Sequence, residues 1–361
     1  MKRRFVIAVL AVTTALTPVW AQNTNRNNQG SEGTSTSDSG VVIRSCTAGA
    51  GAHPGPQVPS YVDEPIEQLK KMVPGLSGIR IDAAGDARAS TPAMPAQDKT
   101  ASILNRASVA IAGLYHRMPN LIAREEVKDP TDTTWESALL RNGEAGWIGS
   151  TQQRFPISHF RTSIYTYRIV HEQTPTGGDA LDEFRTDAHD QPIDGSAHND
   201  QLPFSVGFAT TWLFFFPGNL QQSHFRYVGK QKIGNRETYA LAFAQIPDSD
   251  ALHAVIQSSS GSCSAPIQGV AWVDQSTFQI VRMQTDLLTP LPGIQLNQLR
   301  STAEYGAVRI RALNLTLWLP VDVEIRWQTT YHAGEETHLY SHYRIFQSTA
   351  RILPAGESPA P

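Results

Sequence analysis

Beyond Pro119 the chain changes to a strand-like pattern of apolar and polar residues. It runs through Leu121 to Val127, Thr162 to Val170, Ala180 to Thr186, Thr238 to Gln245, Gly269 to Val273 and Phe278 to Thr285. It continues through Ala303 to Leu313, Leu317 to Trp327 and His338 to Phe346. Many of these segments alternate with a period of two, as half-buried antiparallel strands do because successive side chains leave opposite faces. The clearest is Val321-Asp322-Val323-Glu324-Ile325-Arg326-Trp327, with Val321, Val323, Ile325 and Trp327 on one face. Turn signals stand between the segments at Gly229, Gly234-Asn235, Asp274-Gln275-Ser276, Asn314 and Ala333-Gly334. Such short connections predict an antiparallel meander rather than βαβ units.

Before Pro119 the period is helical. Ile103, Ala107, Ala110, Ile111 and Leu114 share one face of a helix predicted over Thr100 to Met118. Asp98 or Thr100 can cap its start, and Pro119 ends it. A shorter helix is predicted from Pro65 to Val73, stopped by Pro74-Gly75. The stretch from Gln22 to about Ser60 is rich in Asn, Ser, Gly, Thr and Pro, and Asp82 to Asp98 in Ala, Gly and Pro. Without hydrophobic periodicity such composition does not offset its ordering entropy. The predicted organisation is a signal peptide over 1–21 and a low-complexity tail over 22–98 with a short helix at 65–73. A single β-rich domain follows over 99–350, and then a disordered C-terminus over 351–361. The fold class is α+β.

The first 21 residues add a destination. Lys2, Arg3 and Arg4 precede an uncharged apolar run from Phe5 to Leu16, and Val19-Trp20-Ala21 supplies a cleavage site. This is the tripartite pattern of a signal peptide. The run is too short for a membrane span, which takes roughly 20 residues. A periplasmic or secreted protein is expected, with no transmembrane span after cleavage. Charged residues are only 17% and the net charge is −3, with no basic cluster to neutralise phosphates. This gives no support for nucleic-acid binding. Cys46 and Cys263, the two cysteines, can pair in an oxidising compartment or stand as two unpaired thiols in loops.

One segment stands apart. Trp212, Leu213, Phe214, Phe215 and Phe216 put four aromatic residues in five positions. A segment so apolar on all sides is buried or faces an apolar ligand. It is either a plug of the domain core or the wall of a lipid pocket.

Catalytic patterns are not legible. Gly261-Ser262-Cys263-Ser264 does not make a nucleophile elbow, and no phosphate-binding glycine loop is present. His171-Glu172 opens like a zinc-protease motif, but the second histidine is missing. His338 and His342 fall on a predicted strand, roughly 13 Å apart by their spacing, and read as surface or cross-strand histidines. Asp187, Asp190, Asp194, Gly195 and Asp200 form a carboxylate-rich loop whose spacing fits no EF-hand. Glu125 and Glu126 point to opposite faces of one strand, a poor acid/base pair. Asn314-Leu315-Thr316 matches a glycosylation acceptor only formally. No metal, cofactor or catalytic residue is assigned.

The run from Gly269 to Met283 has the form G-x-x-W-V-D-x-x-T-x-x-I-x-R, and is followed by Ala303-Glu304-Tyr305-Gly306 and Leu317-Trp318-Leu319-Pro320-Val321. This order resembles the strands of the LolA/LolB-like superfamily of outer-membrane lipoprotein-sorting proteins. The whole chain, from Leu69-Lys70-Lys71-Met72-Val73-Pro74-Gly75-Leu76-Ser77-Gly78 through Met118 to Val127, also resembles exported Acidobacteria proteins of unknown function. The superfamily resemblance implies a curved, largely antiparallel half-barrel with an N-terminal helix packed on it. It also implies an apolar cavity for a lipid or acyl chain, with lipid or lipoprotein as the partner. Trp212, Leu213, Phe214, Phe215 and Phe216 are the candidate ligand-binding residues. The other reading is a structural or interaction protein of the envelope with a filled core.

Overall fold

The computed structural model describes residues 35–36, 42–45, 59–82, 94–139, 152–173, 179–187, 189–191, 208–246, 254–258, 261–292, 295–330 and 333–346. The signal-peptide segment, Cys46, Asp194, Gly195, Asp200 and the C-terminal tail lie outside these residues. In chain order the strands are β1 (Ser35–Thr36), β2 (Val42–Ser45), β3 (Leu121–Leu139), β4 (Gln152–Gln173), β5 (Asp179–Thr186), β6 (Ser223–Ile233) and β7 (Arg236–Gln245). They continue as β8 (Ala254–Ser258), β9 (Gly261–Ala265), β10 (Ile267–Asp274), β11 (Ile280–Leu287), β12 (Leu296–Ile310), β13 (Leu315–Thr329) and β14 (Ala333–Ile345). The helices are α1 (Ile66–Met72) and α2 (Met94–Arg117).

Ten strands form one open antiparallel sheet in the order β5-β4-β3-β14-β13-β12-β11-β10-β7-β6. Four short strands form a second sheet, β1-β2-β9-β8, in which β2 runs parallel to β9 with Arg44 opposite Cys263. The large sheet is mostly a meander. Its main departure is β14, which returns to pair with β3, so the last strand lies beside the first of the large sheet.

The two faces of the sheet carry separate cores. On the inner face, Ile103, Ala107, Ile111 and Leu114 of α2 join Leu241, Phe243, Ala271, Val273 and the residues of the aromatic run. On the outer face, Tyr61, Ile66, Leu69, Val73 and Leu76 pack against Val228, Ala240, Ala242, Val270 and Trp272. Strand β10 is consequently buried at every position, its alternate side chains feeding the two cores. That explains why Gly269 to Val273 reads as near-continuously apolar. Toward β3, β14 and β13 the outer face is open, and it carries cross-strand ion pairs such as Arg326–Glu335.

Residues 59–82, read from composition as part of a tail, are packed. The Tyr61 hydroxyl donates to Asp286 Oδ2 (2.8 Å), and Arg300 Nη2 donates to the Met72 carbonyl (2.9 Å). Gln231 Nε2 donates to the Gly75 carbonyl (2.7 Å). Arg80 and Lys230 exchange backbone hydrogen bonds of 2.7 and 2.9 Å. Few apolar residues suffice here because each meets the face of a sheet already formed.

Other local expectations are corrected. Helix α2 begins at Met94, so Asp98 and Thr100 lie inside it. Thr100 Oγ1 instead accepts from the Tyr227 N–H (3.2 Å), tying helix to strand β6. Gly229 is no turn but a bulge position within β6, where a Cβ would come 2.6 Å from the Arg80 carbonyl oxygen. Ala333-Gly334 opens β14, and Gly334 leaves room for the Trp327 ring, to which a Cβ would approach within 2.2 Å. The remaining turns follow their residues: Gly234 and Asn314 have φ of 57° and 48°. Asp274 Oδ1 accepts from the backbone N–H groups of Ser276 and Thr277. Pro320, which has no N–H for a ladder, falls where the β12–β13 register shifts.

Leu69 is fully buried. Leu69→Ala is expected to lower the stability of the whole domain by about 2–4 kcal/mol, measured by urea denaturation. A loss under about 0.5 kcal/mol would show that the segment does not belong to the cooperative unit.

Candidate functional site

The aromatic run forms a tight 3-10 turn, Thr211–Phe215, followed at once by a second, Pro217–Gln222. Pro217 starts the second turn, where its missing N–H is harmless. Asn219 Nδ2 closes the corner by donating to the Leu213 carbonyl (2.9 Å). Trp212, Leu213, Phe214 and Phe215 are buried and Phe216 is half-buried. Phe215 sits edge-on to Phe225 and Phe243 at centroid distances of 5.3 and 5.6 Å, and Phe214 stacks on Phe243 at 5.8 Å. Phe216 meets Tyr115 of α2 at 5.3 Å. The structure thus brings all five candidate residues together on the inner face. The indole N–H groups of Trp212 and of Trp327 have no acceptor among the described residues.

Beside this apolar layer lies a polar one that the sequence reading missed. Strand register places Tyr340 opposite Glu125, Glu125 opposite Tyr165, and Tyr167 opposite Arg185. Side chains from β5, β4, β3 and β14 therefore converge on one face. Arg185 grips Glu125 with two hydrogen bonds, Nε to Oε2 (2.5 Å) and Nη2 to Oε1 (2.7 Å). The Tyr340 hydroxyl donates to Glu125 Oε1 (2.7 Å). His338 Nδ1 lies 2.9 Å from Glu125 Oε1, and its Nε2 lies 3.3 Å from Glu336 Oε2. Glu125 and His338 are 0% exposed. Of the two readings, surface or cross-strand, His338 is therefore the cross-strand one, at the centre of a buried network. His342 is exposed and left-handed (φ 56°) at a register shift, which removes it from that face.

The electrostatics follow from burial and partners. Burial alone would raise the Glu125 pKa, but the Arg185 charge and the bonds from His338 and Arg185 outweigh it and hold it at about 2. Burial opposes the His338 imidazolium, yet its bonds to Glu125 and Glu336 leave its pKa raised. Both ring nitrogens face carboxylates, so neither is presented to a substrate. This is an arrangement for holding charge.

A second buried carboxylate ties the aromatic segment to the sheet. Glu183 Oε2 accepts from the Tyr167 hydroxyl and from the Ala209 N–H (3.2 Å). Thr210 adds side-chain and backbone hydrogen bonds. Phe208 lies over His338 at 5.5 Å, and its carbonyl accepts from the Tyr305 hydroxyl (2.8 Å). The polar cluster and the aromatic turn are thus one continuous layer, meeting at Phe208–Thr210.

The remaining sequence candidates do not gather into a site. The His171 N–H donates to Asn120 Oδ1 (2.8 Å), and the ring packs on Tyr115. Asp187 Oδ1 accepts from the N–H groups of His189 and Gln191, folding the described part of the carboxylate-rich loop. Asp190 pairs with Arg168 (2.6 Å). Among the described residues no group of three or more His, Cys, Asp or Glu is placed to hold a metal ion.

Glu125→Gln is expected to cost about 3–5 kcal/mol at pH 7, because it leaves Arg185 buried without its counter-charge. The wild-type contribution is present above the ordinary carboxylate pKa and is lost as pH falls toward about 2. Urea titrations at pH 7 and pH 3 should therefore show the variant's deficit shrinking in acid. An equal deficit at both would contradict this electrostatic origin.

No family model matches the chain, and no curated protein matches it. Solved structures with some likeness include a putative outer membrane lipoprotein-sorting protein domain from Vibrio parahaemolyticus, 11% identical with a TM-score of 0.34, covering 70% of this chain and 94% of that one. A DUF1329 family protein from Desulfovibrio piger is 9% identical with a TM-score of 0.34, covering 70% and 95%. A LolA superfamily protein from Nitrosomonas europaea is 14% identical with a TM-score of 0.30, covering 71% and 94%. At TM-scores this low the likeness supports neither a function nor a site for this chain.

Proposed function

We propose that this chain is an exported, non-catalytic protein of the cell envelope whose inner sheet face takes an apolar ligand, a lipid or an acyl chain. The ligand lies between sheet and α2, against Trp212, Leu213, Phe214, Phe215 and Phe216. The observation that carries the reading is the pair of buried indole N–H groups, Trp212 and Trp327, which have no acceptor among the described residues although both belong to the main apolar core. A buried donor left unmade costs about 1–3 kcal/mol, and such groups in a native fold call for an explanation. The carbonyl of an ester or amide on an acyl chain supplies an acceptor, while its methylenes contribute about 0.8 kcal/mol each on burial. The N-terminal export pattern and the lipoprotein-sorting resemblance of Gly269 to Val321 support the same assignment.

The ring-on-ring packing of Phe214, Phe215, Phe225 and Phe243 favours a second reading. In it the face is filled by the protein's own side chains, and the protein serves as a structural or interaction module.

Native mass spectrometry of protein purified from a periplasm, with organic extraction, separates the two. The binding reading expects a co-purifying lipid and uptake of a fluorescent acyl probe. A lipid-free protein that takes up no probe would leave the filled-core reading. Trp212→Phe removes the N–H and keeps a ring. It is expected to weaken probe binding about 5–10-fold, as loss of one hydrogen bond does, while the urea midpoint reports separately the cost of the smaller ring. Unchanged affinity would take Trp212 out of the ligand site.

A further inference from the structure

Glu183 is the place where the aromatic segment is fastened to the sheet. Its Oε2 gathers the Tyr167 hydroxyl and the Ala209 N–H, and Thr210 adds two further donors. Its Oε1 is buried with no partner among the described residues. The other ties of this segment to the sheet are of a different kind. Among the described residues they include the Tyr305 bond to the Phe208 carbonyl, a Thr211 side-chain bond with Tyr305, and the ring contacts of Phe208, Phe214 and Phe215. One titratable carboxyl, fully buried, therefore holds the segment's backbone donors.

We infer that Phe208–Phe216 is a cover over the inner face, latched to β5 by Glu183, and that ionisation of this one carboxyl loosens it. As a gate for a ligand the cover rests on the binding reading; the latch itself does not.

The sign follows from the surroundings. Burial raises the Glu183 pKa to about 7 against the donors that lower it. In a lifted cover the carboxyl meets water and returns toward its ordinary value. The closed state therefore keeps the proton through a range in which the open state gives it up. Opening becomes easier as pH rises from the ordinary carboxylate range through about 7, and changes no further above it. The groups facing Glu183 do not reverse this. Tyr167 from β4, Tyr305 from β12 and Tyr343 from β14 have phenols pushed upward by burial and stay neutral across that range. Ala209 and Thr210 from the cover do not titrate. Arg185, two residues along the same strand face, is committed to Glu125. His338, beneath Phe208, is held between Glu125 and Glu336.

The test is hydrogen exchange of the full chain at pH 5.5 and 8.5, corrected for intrinsic exchange chemistry. The peptide over 208–216 is compared with β10 as an internal reference. The cover is expected to lose protection relative to β10 by roughly 10- to 100-fold between the two pH values, as linkage gives for a carboxyl raised to about 7 in the closed state. Glu183→Gln keeps an acceptor for the Ala209 N–H but cannot ionise, so its cover should stay protected at both pH values. Tyr167→Phe, which removes a donor to the carboxylate, should move the loosening to higher pH. Wild-type protection that does not change with pH, or a Glu183→Gln profile that matches wild type, would overturn the latch. Probe uptake is read separately. A pH-dependent cover that admits no acyl probe would leave the latch standing and remove the binding reading, and uptake under a pH-independent cover would do the reverse.

Discussion

Burial of both faces of strands β7 and β10 is the constraint from which the architecture follows. An antiparallel sheet ordinarily keeps one face wet, and here Ala240, Ala242, Val270 and Trp272 point away from the main core. Something must cover them, and α1 with its flanking residues does so. The opposite face needs a cover as well, and α2 and the two 3-10 turns supply it. Among the described residues the sheet is thus the middle of three layers at its β6–β7–β10 end and carries an inner cover alone toward β3 and β14. That asymmetry decides where charge is tolerated. The open outer face holds solvated pairs such as Arg326–Glu335, which contribute little. The inner face at the same end holds Glu125, Arg185, His338 and Glu336, which have no water and must satisfy one another.

The strands were legible because their physics is local. Alternation through Val321 to Trp327 registers directly as one buried face, and Asp274 and Asn314 mark turns that their side chains or backbone freedom make. What failed was whatever depended on a distant partner. Gly229 looks like a turn residue because the Arg80 carbonyl that requires a glycine there comes from about 150 residues away. The packed segment at 59–82 looks like a tail because its few apolar residues complete their core only with Val228, Ala240, Ala242, Val270 and Trp272, far along the chain. The buried network did leave a signal. Glu125 falls on the same alternate positions as Leu121, Ala123 and Val127, and Glu183 and Arg185 fall on those of Leu181. A charge at a core position of an alternating strand calls for a counter-charge elsewhere. Only register, which one sequence does not reveal, shows that Arg185 answers Glu125.

The aromatic run was legible as a unit, but its geometry was not. Four aromatics in five positions signal burial, and the structure buries them. Whether a buried run is plug or wall depends on what shares its layer. Phe225 and Phe243, which do, come from strands on either side of a turn that the sequence pattern resolves only in part. The indole N–H groups of Trp212 and Trp327 keep the two readings distinguishable in physical terms. Buried donors with no acceptor among the described residues cost a plug free energy that a smaller aromatic ring such as phenylalanine would avoid, at the expense of some packing.

The same reasoning bears on why the cover is fastened by polar groups. Replacing a buried ionic network with apolar residues of similar volume is often neutral or stabilising, so stability alone gives no reason to place Glu183 under Ala209 and Thr210. The difference appears when the contact breaks. A cover held by apolar contacts exposes that surface to water when it lifts and loses the whole of its burial energy. A cover held by N–H groups on a carboxyl exchanges each bond for one to water, and the net loss per bond is about 1 kcal/mol for the neutral acid and about 1.5–3 kcal/mol for the carboxylate. Polar anchoring therefore fixes where the segment sits while leaving it comparatively easy to raise. The apolar surface that must still be re-covered is that of Trp212, Phe214 and Phe215, which an acyl chain entering beneath them would shield as well as Phe243 does.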